Sequence, residues 1–351
     1  MSKWEENVRR VEPYVPGEQP KVANIIKLNT NENPYPPSPK VKEVLENAKY
    51  EDLRLYPDPA AYDLIHAIAK SKGLDDNQVF VGVGSDDVLA MSFLTFFNSD
   101  APILFPDITY SFYDVWADIF RIKYETKALA EDFTINVDDY KAPNGGIIIP
   151  NPNAPTGLEA PLSDIEAIVS ANPDSVVIID EAYVDFGGTS ALPLIEKYDN
   201  LLVVQTFSKS RSLAGSRIGF AMGNPKMISY LNDCKYSFNS YTMDRITIEV
   251  GKAAIEDEDY FNSSVADIIA TREWTKDELS DLGFDFPNST SNFIFASHKS
   301  VSAEEIFNKL KERNIFVRYF KKPRIDNYLR ITIGTDQQMK ALIEALKDIV
   351  G

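Results

Sequence analysis

A single cysteine, Cys234, and two histidines, His66 and His298, supply all the thiol and imidazole in this 351-residue sequence. One cysteine rules out a disulfide within the chain and a cysteine-built metal site. Two histidines disfavour a zinc or iron centre held by imidazoles and a histidine-activated nucleophile. No metal is expected, and proton chemistry falls to Lys, Asp, Tyr or a cofactor. No stretch approaches about 18 apolar residues, so no membrane span is expected. The opening Met1-Ser2-Lys3-Trp4-Glu5-Glu6 has no apolar core of a secretory signal, which makes the cytoplasm the expected compartment. Positive charge is also scarce: 36 Lys and Arg against 53 Asp and Glu leave a formal net charge of -17. That surface repels nucleic acid and obliges any anionic ligand to find a local basic pocket.

What the chain does have is a repeating alternation. Apolar, β-branched runs at Val79–Val83, Pro102–Phe105, Gly146–Pro150, Val176–Asp180, Leu201–Thr206 and Ile218–Met222 are separated by segments of helical period such as Asp86–Phe97 and Leu162–Ala171. Continuous runs like Ile147-Ile148-Ile149 suit strands buried on both faces. Strand and helix in alternation predict an α/β fold, a mostly parallel sheet covered by helices. After about residue 245 the texture changes to a long helical stretch (roughly 245–282), strands near 292–296, 315–319 and 328–333, and helices near 303–313 and 336–349, a smaller α+β unit. The expected division is an N-terminal arm 1–35, a large unit 36–245 and a small unit 246–351. Within the arm, Asn33-Pro-Tyr-Pro-Pro-Ser-Pro39 should be an extended loop.

Polar residues crowd where the strands end: Gly84-Ser85-Asp86, Asn151-Pro152-Asn153, Asp180-Glu181 and Thr206-Phe207-Ser208-Lys209. Ligands of open α/β sheets bind at that edge. Lys209 follows a buried strand, where a desolvated amine can form a Schiff base; its position alone better suits a surface lysine opening a helix. Asp180 must meet a cation or strong donors: a protonated pyridine, a metal, or a lysine. Gly82-Val-Gly84-Ser85-Asp86 places free amides at a helix start, suited to phosphate or to ordinary capping, and it lacks the third glycine of a dinucleotide fingerprint. Arg217 offers a donor fork for the same phosphate, or is solvated. Arg318, Lys321, Lys322, Arg324 and Arg330 put five basic residues into thirteen. Lys321 and Lys322 read as a solvated loop, whereas Arg330 alternates with strand residues and can project into a site.

Together these stretches resemble the fold-type I, class II aminotransferases that depend on pyridoxal 5'-phosphate (PLP). Thr206-Phe-Ser-Lys209-Ser-Arg-Ser-Leu-Ala-Gly215-Ser-Arg217 is similar to their cofactor-lysine signature, Asp180-Glu-Ala-Tyr183 to their pyridine-nitrogen motif, and Asn151-Pro-Asn-Ala-Pro-Thr-Gly157 to the loop beside the ring hydroxyl. Pro13-Tyr14, Leu28-Asn-Thr-Asn31-Glu32-Asn33-Pro34, Arg54-Leu-Tyr56-Pro57 and Leu329-Arg330-Ile-Thr-Ile-Gly-Thr335 resemble the histidinol-phosphate branch of that family. The resemblance implies a three-layer PLP-transferase fold with the smaller α+β domain beside it, and a cytoplasmic homodimer acting on histidinol phosphate and 2-oxoglutarate in histidine biosynthesis. An aromatic-amino-acid aminotransferase or a phospho-amino-acid decarboxylase is the alternative on the same fold. A non-catalytic PLP-binding regulator would need a DNA-binding domain for which the chain has no room.

The same resemblance implies roles. Lys209 would tether the cofactor and then shuttle a proton, Asp180 would keep the ring nitrogen protonated, Tyr183 would donate to the ring hydroxyl oxygen O3', and Tyr110 would stack on the ring. Ser85, Asp86, Ser208, Arg217 and Thr206 would hold the cofactor phosphate, with Tyr56 reaching it from a partner subunit. Tyr14, Asn31, Arg318 and Arg330 would hold the substrate's phosphate or carboxylates. One position departs from the pattern: Ala154 stands where the family usually has an asparagine bonded to O3'. Either Asn153 or Asn151 compensates, or Tyr183 carries O3' alone; Asn153 is the expected substitute.

Overall fold

The computed structural model describes residues 3–14, 17–20 and 24–351; the Met1-Ser2 opening and part of the expected arm lie outside them. Twelve strands are described: β1 (Ile26–Leu28), β2 (Val79–Val83), β3 (Ile103–Pro106), β4 (Tyr124–Lys127), β5 (Gly146–Pro150), β6 (Val177–Asp180), β7 (Leu201–Thr206), β8 (Ile218–Gly223), β9 (Phe284–Asp285), β10 (Phe293–His298), β11 (Ile315–Tyr319) and β12 (Leu329–Thr332). They form a seven-stranded sheet in the order β2-β8-β7-β6-β5-β3-β4 and a five-stranded sheet in the order β1-β11-β12-β10-β9.

The larger sheet is parallel except for β8, which runs against both neighbours. Its three layers follow from the two-residue period of a strand. Ile147, Ile149, Val177, Ile179, Leu201 and Val203 turn to one face, where Leu64, Ile68, Ile165 and Ile168 cover them. Ile148, Ile178, Leu202 and Val204 turn to the other, against Val88, Leu89, Phe93, Trp116 and Leu231. The unforeseen strand β4 reads Tyr-Glu-Thr-Lys and lies largely exposed at the sheet edge, so it has no apolar run to announce it.

The long helical stretch is two helices, Arg245–Ile255 and Glu258–Asp281. The first does not join the smaller unit. Its Ile248, Val250, Ala254 and Ile255 pack into the core of the larger sheet, whereas Val265, Ile268 and Leu279 of the second pack into that of the smaller sheet. A boundary at 245 therefore falls one helix early. The smaller sheet also recruits the arm: β1 pairs parallel with β11. Among the described residues no helix is long and apolar enough to cross a membrane.

Arg272, on the helix Glu258–Asp281, fastens the turn that carries Phe186 to the smaller core. It is 5% exposed, and its Nη1 donates to the carbonyls of Phe186 at 2.7 Å and Ser291 at 2.9 Å. Its Nε reaches Glu273 at 2.8 Å. Replacing it with leucine strips a buried guanidinium from two carbonyls. Arg272→Leu is expected to lower stability by about 3 kcal/mol, read as a shift of the urea unfolding midpoint; an unchanged midpoint would contradict this role.

Candidate active site

The carboxyl ends of β2, β3, β5, β6 and β7 converge on a cavity of about 170 Å³ lined by Ser85, Asp86, Tyr110, Asp180, Tyr183, Thr206, Ser208, Lys209 and Arg217. It shares Asp86, Tyr110, Tyr183, Lys209 and Arg217 with a wider cavity of about 510 Å³, whose outer wall holds Tyr14, Asn31, Arg318 and Arg330. Lys209 stands where the two meet. Its Nζ lies 3.5 Å from the carbonyl of Thr30 and 5.7 Å from the centre of the Tyr183 ring. Asn33 fixes the lysine's backbone by donating to its carbonyl at 3.0 Å.

At the floor, Asp180 is 4% exposed. The Tyr113 hydroxyl donates to one of its oxygens at 2.8 Å and the Ala182 amide to the other at 3.2 Å. Burial outweighs both donors and pushes the carboxyl up to about 6. The next residue, Glu181, takes donors from Ser190, Ala191 and Gln205; burial lifts it to about 7.

One end of the inner cavity is a backbone cup. Gly84, at φ +84°, precedes the helix Ser85–Phe96. A Cβ there would lie 2.5 Å from Arg217, and one on Gly219 would lie 2.2 Å from the Ser85 amide nitrogen. Two glycines thus let β8 and the helix start close around Arg217. Arg217 bonds Asp86 at 2.9 Å and reaches Ser208 Oγ at 3.4 Å, while Thr206 Oγ1 lies 3.0 Å from Ser208 Oγ. Asp86 also accepts from Tyr110 at 2.8 Å. Burial and that neighbouring carboxylate hold the Tyr110 hydroxyl well above its ordinary range.

In the outer wall, Arg318 and Arg330 stand directly opposite each other across β11 and β12, an arrangement that costs stability between like charges. Arg330 donates to the Asn29 carbonyl at 3.3 Å, yet its buried Nε has no partner. Burial lowers its hold on its proton, and Arg318 adds to that. Tyr14 stacks on Phe112 with ring centres 4.1 Å apart.

Other expected positions lie elsewhere. Asn153 does not face the inner cavity. Its amide donates to the Ile108 carbonyl at 3.0 Å and to Thr156 at 3.1 Å, and it borders a separate cavity with Asn151. Asn151 is consumed by two bonds to the Ala160 backbone. Both amides are thus committed within the chain, Asn151 to Ala160 and Asn153 to Thr156 and Ile108, and neither is aimed at the inner cavity. Asn31 lines the outer cavity, but its amide is committed to Tyr183 at 2.9 Å and Thr332 at 3.1 Å, not directed at a ligand. Tyr56 is 79% exposed on the outer surface against Tyr241. Of the five basic residues at 318–330, Lys321 pairs with Glu304 and Arg324 bonds Asp107 and the carbonyls of Leu129 and Ala130. Only Arg318 and Arg330 line the cavity. Asn33 and Thr332 stand in stretches that the resemblance singled out but were given no role, and Tyr113 carried no signal except that a buried tyrosine hydroxyl must find an acceptor.

Lys209, Asp180 and the Arg217-bearing helix cup thus meet in one cavity at the end of the large sheet. Residues 23–346 match the family "Aminotransferase class I and II", and the chain belongs to it. The chain is 55% identical over 352 residues to Histidinol-phosphate aminotransferase 2 of Dechloromonas aromatica, covering 99% of both. It is 54% identical over 351 residues to the Histidinol-phosphate aminotransferase of Clostridium acetobutylicum, covering both in full. Within the class, it is a member of the histidinol-phosphate aminotransferase family. In fold it is similar to histidinol-phosphate aminotransferase from Sinorhizobium meliloti, solved in complex with pyridoxal-5'-phosphate (TM-score 0.85, 24% identity, 93% of this chain and 90% of that one).

The buried aspartate sets a pH dependence. Folding raises Asp180 from 3.8 to about 6, so its contribution to stability is complete below about pH 4 and is lost as pH rises through 6. Asp180→Asn is therefore expected to make the cofactor-free protein more stable than wild type at pH 8, by up to about 3 kcal/mol, with little gain at pH 4. Equal denaturation midpoints at pH 8 would refute this.

Proposed function

We propose that this enzyme binds PLP in the inner cavity and exchanges an amino group between histidinol phosphate and 2-oxoglutarate. The observation that carries the substrate reading is Arg330: a half-buried guanidinium with a buried, unpartnered Nε, opposite a second arginine, lining a cavity that Lys209 also lines. An acidic protein that places two cations opposite each other supplies a seat for a phosphate or carboxylate.

The residues of the inner cavity fit PLP. The Gly84-Ser85 cup with Arg217, Ser208 and Thr206 suits its phosphate, and Asp180 suits a protonated ring nitrogen, which relieves the burial that lifts the carboxyl. Tyr110 would cover the ring, and Tyr183, which lines the same cavity as Ala154, would supply a hydroxyl to O3'. When bound, PLP supplies the electron sink that makes the substrate Cα–H acidic. The chain's own residues do the rest. Lys209 Nζ accepts the Cα proton and returns it, general-base work worth roughly 10²–10⁴-fold. Asp180 holds a proton on the ring nitrogen. Arg330 and Arg318 orient the substrate so that its Cα–H faces the lysine.

We further propose a cytoplasmic homodimer in which Tyr56 reaches the partner's cofactor phosphate. Support comes from the large exposed side chains Tyr50, Leu53, Tyr56, Tyr62 and Phe238, with Tyr56 against Tyr241 and its carbonyl held by Arg245. The domain division consistent with the packing is an arm up to residue 35, a large domain to about 257 and a small domain from 258 on.

Purified enzyme titrated with histidinol phosphate should lose its yellow absorbance and regain it with 2-oxoglutarate. Lys209→Ala should abolish this exchange, and Arg330→Met should raise KM for histidinol phosphate about tenfold or more, with less effect on amines lacking phosphate. A yellow enzyme that ignores histidinol phosphate but responds to an aromatic amino acid would discard the substrate; a protein that takes up no PLP would discard the whole reading.

A further inference from the structure

Ala154 leaves the cofactor's O3' without the asparagine that the family pattern places there, and Asn151 and Asn153 are both occupied elsewhere. What remains is Tyr183, and a hydroxyl can donate or accept. Its direction is decided by a chain of hydrogen bonds that begins on a group able only to donate.

That group is the backbone amide of Asn31, which donates to Thr332 Oγ1 at 3.0 Å. Thr332 therefore turns its own hydrogen to Asn31 Oδ1, 3.1 Å away. With the oxygen of the amide fixed on Thr332, the nitrogen must face Tyr183, and it donates to the phenol oxygen at 2.9 Å. Tyr183, having accepted, points its hydrogen away from Asn31. Tyr183 lines the inner cavity, and no acceptor within the chain takes that hydrogen among the described hydrogen bonds. The assignment of the Asn31 amide rests on the network and not on the similar shapes of its two ends.

Everything about Asn31 holds this direction in place. The residue is 1% exposed and sits at φ +55°, in the left-handed region that asparagine tolerates better than most residues. Its carbonyl is clamped by Asn292 at 3.1 Å. Such rigidity suits a positioning residue more than one that meets substrate.

We propose that Thr332 and Asn31 form a one-way hydrogen-bond relay that makes Tyr183 an obligate donor to the cofactor's O3', in place of the asparagine missing at position 154. The inference rests on PLP occupying the inner cavity. It reassigns Asn31 from substrate ligand to positioning residue and gives Thr332 a role that its place in an apolar strand conceals. A donor fixed on O3' stabilises the ionised oxygen, so it lowers the pH at which the resting, lysine-bound cofactor changes colour.

The test is a spectral pH titration of the resting holoenzyme, without substrate. Tyr183→Phe should raise the midpoint by about one pH unit, the scale of one lost hydrogen bond. Asn31→Gly, which keeps the left-handed backbone available, and the isosteric Thr332→Val should each raise it in the same direction. Thr332→Ser, which keeps the hydroxyl, should leave it at the wild-type value. Lys209 carries the titrating group itself, and the other groups that interact with Tyr183, namely Arg330, Tyr110 and Tyr113, are unchanged in all four variants. In the Tyr183→Phe background, Asn31→Gly should add no further shift. The relay is overturned if Tyr183→Phe moves the midpoint while Asn31→Gly and Thr332→Val do not, or if the Asn31→Gly shift persists without the Tyr183 hydroxyl. Should Thr332→Val not fold, the Asn31→Gly pair with and without Tyr183→Phe decides alone. A wild-type protein that never turns yellow with PLP would instead sink the cofactor reading on which the relay stands.

Discussion

Asp180 carries a carboxyl group into the dry end of a strand covered on both faces, and much of the site answers that difficulty. Burial alone would drive the group to its neutral form. Tyr113 and the Ala182 amide restore part of the charge, and Tyr113 can do so only because Phe105, Phe93 and Tyr110 wall it in. The balance leaves the carboxyl poised near 6, able to answer a protonated ring. Lys209 lies one strand over, past the end of β7. Parallel strands deliver both groups to the same edge, which an antiparallel pair would place at opposite ends.

The outer wall has a different logic. Where the inner cavity hides charge and satisfies it, β11 and β12 set two arginines against each other and leave a donor unused. On the function proposed, a ligand anion would complete this wall. The two solutions share a border along Tyr183 and Lys209, so the group that handles protons and the groups that recognise anions touch the same space.

Much of this was legible in the sequence because burial on both faces produces uninterrupted β-branched runs, and because strand ends collect polar residues. β5, β6 and β7 could be read almost to the residue. β4 could not, since an exposed edge strand has no apolar signature, and the helix Arg245–Ile255 was assigned to the wrong unit because its apolar period says that it packs, not on what. Lys209, Asp180 and Arg217 stand in local motifs, and the structure brings them together. Asn153 misled because its amide is committed to Thr156 in its own loop and to Ile108 in another, and such commitments are invisible in a linear motif. Thr332 and Tyr113 stayed hidden for the complementary reason: each acts through a partner far along the chain, and spacing carries no information about such pairs.

The parallel pairing of β1 with β11 ties the start of the chain to its last quarter, and the Asn31–Thr332 contact spans 301 residues. On a ribosome adding about 5–20 residues per second, Asn31 waits roughly 15–60 s before its partner exists. The large sheet, its lysine and its phosphate cup are all synthesised within that interval. Birth order therefore separates capture of the cofactor from its tuning: the nascent chain can present a seat for PLP well before it can orient the hydroxyl that governs it.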